Sequence, residues 1–116
     1  MIKFFFQRKP HILIWARLKG FPFWPAKAMS TNLKTQQVDA RFFGAHDKAW
    51  VPVKECYLYS KGSPQIFSKK RSDLDDAFLE AESYIKKIRQ IYGTFSYAPD
   101  KTPFVPELYD KQLQSL

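Results

Sequence analysis

The run Leu13-Ile-Trp-Ala-Arg-Leu-Lys-Gly-Phe-Pro-Phe-Trp-Pro-Ala-Lys27 constrains the fold more than any other stretch of the chain. In it, Pro22 and Pro25 bracket an aromatic pair directly after a strand-like segment. Each proline holds φ near one value and removes a backbone donor, so a sheet ladder cannot run through uninterrupted. The residues before them, Phe21 and Trp24, are pushed towards extended geometry. A stiff, arched connection follows, on which Phe21 and Trp24 stand close enough to face one another. Aromatic clusters are more often core than binding site, because large rings dominate core energetics. The arch alone therefore leaves both uses open.

Around it the chain reads as short alternating strands separated by polar turns. His11 to Leu18 is β-branched and aromatic, bounded by Pro10 and Gly20, and is expected to be the first strand. Its parity sends Ile14 and Ala16 to the core and Arg17 and Lys19 outward. Trp24 to Met29, Gln37 to Phe43, Ala49 to Val51 and Tyr57 to Tyr59 are the expected second to fifth strands, with a helical turn at Val53 to Cys56. Five short, locally connected strands indicate a mainly β fold, a small five-stranded antiparallel barrel. One helix follows over 72–92, with Ser72 as N-cap, Asp73 and Asp76 at the positive end of the dipole and Gly93 as C-cap. Its apolar positions, from Leu74 to Tyr92, recur at helical spacing and are expected to pack on the barrel. Residues 1–10 read as a linker or leading segment. Residues 94–116, rich in proline and aromatics, read as an extension without regular structure, strapped down by Phe95, Tyr97 and Phe104.

A length of 116 residues suits one domain with a modest core. The single cysteine, Cys56, excludes an internal disulfide and leaves no basis for a structural zinc site. No apolar run reaches the length of a membrane-spanning helix. His11 and His46 lack ligand spacing, and the four glycines form no phosphate loop, so neither catalysis nor a cofactor is expected. Charge is more informative. Residues 1–72 carry 14 basic and 3 acidic side chains, and residues 73–116 carry 5 and 8, within a net charge of +8. That one-sided excess suits a polyanionic partner as well as it suits an ordinary solvated surface.

The residues Gly20-Phe21-Pro22-Phe23-Trp24-Pro25-Ala26-Lys27 closely resemble the signature of PWWP domains, chromatin-binding members of the Tudor-like family. Phe23 stands where that signature has its first tryptophan. The resemblance continues through Val38-Asp-Ala-Arg-Phe-Phe-Gly44, His46-Asp47 and Ala49-Trp50-Val51-Pro52 and covers about 12–93. It is strongest to readers that place this module beside PHD, bromodomain and MYND zinc-finger modules. The resemblance implies a PWWP domain over 11–93, with its barrel at 11–59, and a nuclear, chromatin-bound role.

It also implies a site. In the family an aromatic cage comes from the residue before the first signature proline, the last signature tryptophan and the first aromatic of the third-strand pair. Those positions here are Phe21, Trp24 and Phe42, while Phe43 is expected to turn into the core. A methylated lysine keeps its charge while losing donors, so ring faces hold it well, at about 0.5–2 kcal/mol per contact. The implied ligand is a histone H3 tail methylated at its lysine 36. Arg17, Lys19, Lys48, Lys69, Lys70 and Arg71 are the candidate phosphate contacts to nucleosomal double-stranded DNA. Two other readings use the same features: a single-stranded nucleic-acid binder that stacks bases on the exposed rings, and a protein-interaction module whose cage is unused.

Overall fold

The computed structural model describes residues 10–65 and 71–114. Its five strands are β1 (Ile12–Ala16), β2 (Trp24–Asn32), β3 (Gln37–Phe42), β4 (Lys48–Pro52) and β5 (Cys56–Leu58), followed by α1 (Ser72–Tyr92). All neighbouring pairs are antiparallel, in the order β4-β3-β2-β1-β5. The two edge strands, β4 and β5, are joined only by the 3-10 turn Val53–Glu55, so the sheet has to curl until its edges approach. Val53 N–H donates to the Gln36 carbonyl at 2.9 Å and Arg17 N–H to the Glu55 carbonyl at 3.1 Å, stitching that turn to both sides. This is the expected Tudor-like barrel-type architecture with a C-terminal helix.

The curl creates two apolar layers. Ile12, Ile14, Ala16, Ala28, Val38 and Val51 fill the barrel interior. Alanines opposite one another at Ala28 and Ala40, and Ala26 opposite Phe42, leave room there for larger neighbours. The outer layer sets Leu13, Trp15, Phe43 and Tyr59 against Ala77, Ala81, Ile85 and Ile88 of α1. Every residue of β1 is buried, and Arg17 and Lys19 just beyond it are exposed as expected. Trp15 shares the parity of Arg17, yet α1 covers its side of the sheet, and its indole N–H donates to the Ser60 carbonyl at 3.2 Å. Full burial of each such side chain contributes about 1.5–3 kcal/mol.

The start of α1 also differs from expectation. Ser72 is the first helical residue, Arg71 occupies the cap position in extended geometry, and no side chain caps the end. The Asp73 carboxylate instead accepts the Leu74 N–H at 2.9 Å in the first turn. At the other end Gly93, with φ +88°, donates its N–H to the Arg89 carbonyl as expected for a C-cap.

The tail is more ordered than its composition suggested. Leu58 N–H donates to Thr102 and Phe104 N–H to Cys56, so residues 102–104 cover the outer edge of β5. A 3-10 segment follows at Pro106–Gln112. Phe104 enters the barrel layer, Phe95 the helix layer, and Tyr97 packs edge-on against Phe95. The buried Gln114 finishes the job: its amide accepts the Leu13 N–H at 2.9 Å and donates to the Leu13 carbonyl at 3.3 Å. The Leu13 N–H lies beyond the end of β5 pairing, so this amide replaces a strand neighbour. Gln114→Ala would strand that N–H, and chemical denaturation is expected to show a loss of about 1–3 kcal/mol.

Candidate functional site

The arch opens with a tight turn. Phe21 N–H donates to the Leu18 carbonyl at 3.0 Å, and Gly20 sits at φ +85°, the left-handed value that the third position of a type II turn requires. Gln65 then clamps the arch from across the molecule. Its amide oxygen accepts the Phe23 N–H at 3.1 Å and its amide nitrogen donates to the Phe23 carbonyl at 2.7 Å. Trp24 is oriented by its indole N–H, which donates to the Phe43 carbonyl at 2.9 Å, while Phe43 N–H donates to the Pro25 carbonyl at 3.0 Å. Alternation does the rest along β3: Phe42 faces the barrel interior, and Phe43, 4% exposed, packs under Tyr84 of α1.

Phe21, Trp24 and Phe42 therefore line one cleft of about 920 Å³, together with Leu18, Pro22 and Ala49. They contribute differently. Phe21 is 56% exposed and forms an outer wall, whereas Phe42 is 7% exposed and forms the floor. Phe23, between the two prolines, turns inward and meets Tyr57. The remaining lining is mostly polar and comes from Ala16 of β1, Arg41 of β3, the turn after β3 (Gly44 to Lys48) and the start of α1 (Arg71, Asp73 and Asp76). Gly44, at φ +79°, brings that turn onto the helix so closely that a Cβ there would lie 2.9 Å from Ala77 Cβ. His46 reinforces the contact, with its imidazole 2.8 Å from the Glu80 carboxylate. That bond is the leading reason the Glu80 carboxyl is held below the usual carboxylate range.

The candidate phosphate contacts separate into groups. Lys48 and Arg71 line the cleft, and Lys19 is exposed in the turn that leads to Phe21. Arg17 is not free: its guanidinium pairs with Glu55 at 2.8 Å and stacks 4.6 Å from the Phe23 ring centre. Lys69 and Lys70 lie outside the described residues. Sequence reasoning missed Arg41, Asp73 and Asp76 as cleft residues. The proximity of the two aspartates was hidden because it depends on where α1 begins in space.

Strand register reveals another feature. Lys27 stands directly opposite Arg41, and Arg41 directly opposite Lys48, so three cations form a row across β2, β3 and β4 on one face. Lys27 lies 4.9 Å from the Tyr84 ring centre, which shelters one end of the row. His11 beside it is held below its ordinary value, first by burial and then by Lys27 and Arg41. Like charges directly opposite one another are unfavourable. Among the described residues no carboxylate forms an ion pair with Arg41 or Lys48. Arg41 and Lys48 thus present an anion-attracting surface that is part of the cleft lining. Arg41→Gln is expected to stabilise the isolated domain by about 0.2–1 kcal/mol at low ionic strength, with the gain shrinking in high salt, as read by thermal melts.

Among the described residues no group of three or more His, Cys, Asp and Glu side chains is placed to hold a metal ion. Among those residues no helix is long and apolar enough to cross a membrane either. Burial, aided by Glu55, pushes the Cys56 thiol up to about 12, which leaves it protonated and unreactive at neutral pH.

The family model of the PWWP domain matches residues 12–86. The chain is 48% identical over 111 residues, 94% of its length, to the MYND-type zinc finger-containing chromatin reader Zmynd8 of Drosophila melanogaster, of which it covers 7%. It is 32% identical over 95 residues, 70% of its length, to the histone-lysine N-methyltransferase ATX2 of Arabidopsis thaliana, and covers 9% of that protein. The chain spans less than a tenth of the length of either relative.

Proposed function

This chain belongs to the PWWP family, and on that footing we propose that it is a chromatin-reader module rather than an enzyme. It would bind nucleosomes through a methylated lysine of the histone H3 tail, at position 36, and through the DNA backbone, and so tether a larger nuclear regulator. The observation that carries this reading is the convergence of Phe21, Trp24 and Phe42 on one open cleft with cations on its rim. Trp24 presents a ring oriented by its own hydrogen bond, Phe42 a greasy floor and Phe21 an adjustable outer wall. A methylammonium group gains from each ring face, and its desolvation is cheaper than that of an unmodified ammonium.

The phosphate part rests on Lys19, Lys48 and the cation row of Lys27, Arg41 and Lys48. Phosphate neutralisation is sequence-independent and strongly salt-dependent, because counterions are released. Arg17 would contribute less than its position in the sequence suggests, since its charge is already met by Glu55. Two weak contacts to one nucleosome multiply through effective concentration, which explains a module with both. The neighbouring PHD, bromodomain and MYND modules implied by the resemblance would add further contacts in a longer protein. The names of the relatives support the chromatin setting, as one is a chromatin reader and another a histone-lysine methyltransferase.

The test uses reconstituted nucleosomes, unmodified and trimethylated at the histone lysine, across a salt series. Wild type is expected to bind the marked particle more tightly, and Trp24→Ala to lose that gain while keeping a steep salt slope. A mark that makes no difference to wild type overturns the cage, and a flat salt slope overturns the phosphate grip.

A further inference from the structure

The face of Trp24 already carries a cation. The Arg71 guanidinium lies 5.5 Å from the Trp24 ring centre, within the range of a cation–π contact. It is held there by a fork-to-fork pair with Asp73, Nε to Oδ1 at 3.2 Å and Nη2 to Oδ2 at 2.9 Å. All three residues line the same cleft. Both side chains keep solvent access, 38% for Arg71 and 59% for Asp73, so the arrangement is held by partly solvent-screened contacts.

Resting on the reading above, we infer that Arg71 is a cation shared by the two ligands and couples them: it covers Trp24 in the free domain and leaves when it engages a DNA phosphate. The chemistry runs in one direction. A guanidinium and a methylammonium compete for one ring face, so the histone ligand has to displace Arg71 from Trp24. A phosphate offers that guanidinium the same planar, bidentate geometry as a carboxylate, with more negative charge. Moving it to phosphate uncovers Trp24 and frees the Asp73 carboxylate beside the cleft to attract the incoming cation. Asp76, also in the lining, adds to that attraction.

Linkage then makes the effect reciprocal: the methylated tail raises affinity for DNA by the factor with which DNA raises affinity for the tail. This differs from effective concentration, which needs the two ligands to be joined. Coupling through Arg71 persists when tail and duplex are separate molecules.

The experiment therefore uses a short trimethyl-lysine peptide and a separate short duplex. The unmethylated peptide serves as the baseline that removes any direct peptide–DNA attraction. Without DNA, Arg71→Ala is expected to bind the methylated peptide roughly two- to fivefold more tightly than wild type, the size of one exposed cation–π contact. Saturating duplex is expected to bring wild type up by a similar factor and to leave Arg71→Ala unchanged. Arg71→Gln, which keeps the chain length and removes the charge, repeats the comparison, and matching thermal melts establish that both variants fold. Equal or weaker peptide binding by both variants without DNA overturns the coupling while leaving the cage reading intact. A duplex effect that survives in both variants does the same. Failure of wild type and both variants alike to distinguish methylated from unmethylated peptide overturns the cage reading and the coupling together.

Discussion

The hydrogen bond from the Trp24 indole to the Phe43 carbonyl connects the entrance of β2 to the end of β3, and the cleft depends on it. Trp24 follows an arch that supplies few backbone donors, since Pro22 and Pro25 have none. Its ring would otherwise be free to rotate about χ1 and χ2. With the indole N–H committed, the ring plane is set relative to Phe42, which alternation sends inward from the adjacent strand position. The Gln65 amide performs the equivalent service for the arch backbone at Phe23. The outer wall and the floor of the cleft thus derive from two separate stretches of chain, the arch and β3, held in register by side-chain-to-backbone bonds.

Electrostatics around this frame are uneven. Strand pairing places Lys27, Arg41 and Lys48 in a row, an arrangement that costs the isolated domain stability. Two other cations are satisfied locally: Arg17 by Glu55, and Arg89 over the Phe95 and Tyr97 rings. The contrast separates cations that serve packing from cations left available to an external anion. Arg71 belongs to neither set, because its present partners, Asp73 and Trp24, are themselves part of the cleft.

That position gives the start of α1 a role beyond packing. The helix is anchored by its buried stripe, Ala77 to Ile88, against Trp15, Phe43 and Tyr59. Its first turn is then free to project charged groups into the cleft, and the turn after β3 is fixed to the same helix through Gly44 and His46. The aromatic part of the site is built by the arch and the sheet, and its charged part by the sheet and the start of the helix together. Their meeting point is the Arg71 guanidinium.

Much of this was legible in the chain itself. Strands, helix and the arch are local events, written in alternation, helical spacing and two prolines, so their limits shift by only a few residues between expectation and structure. That Phe21, Trp24 and Phe42 come together in one cleft was legible through the signature around them. What only tertiary structure decided is which groups remain available after folding. Arg17 reads as a free cation until the chain returns Glu55 to it, and the parity that Trp15 shares with it does not show that α1 covers Trp15. The tail reads as loose until Phe104 and Gln114 find the barrel and β1. The cation row exists only once register aligns three strands. Local pattern determines conformation because backbone preferences act over a few residues. The availability of a charge or a ring depends on partners brought from far along the sequence.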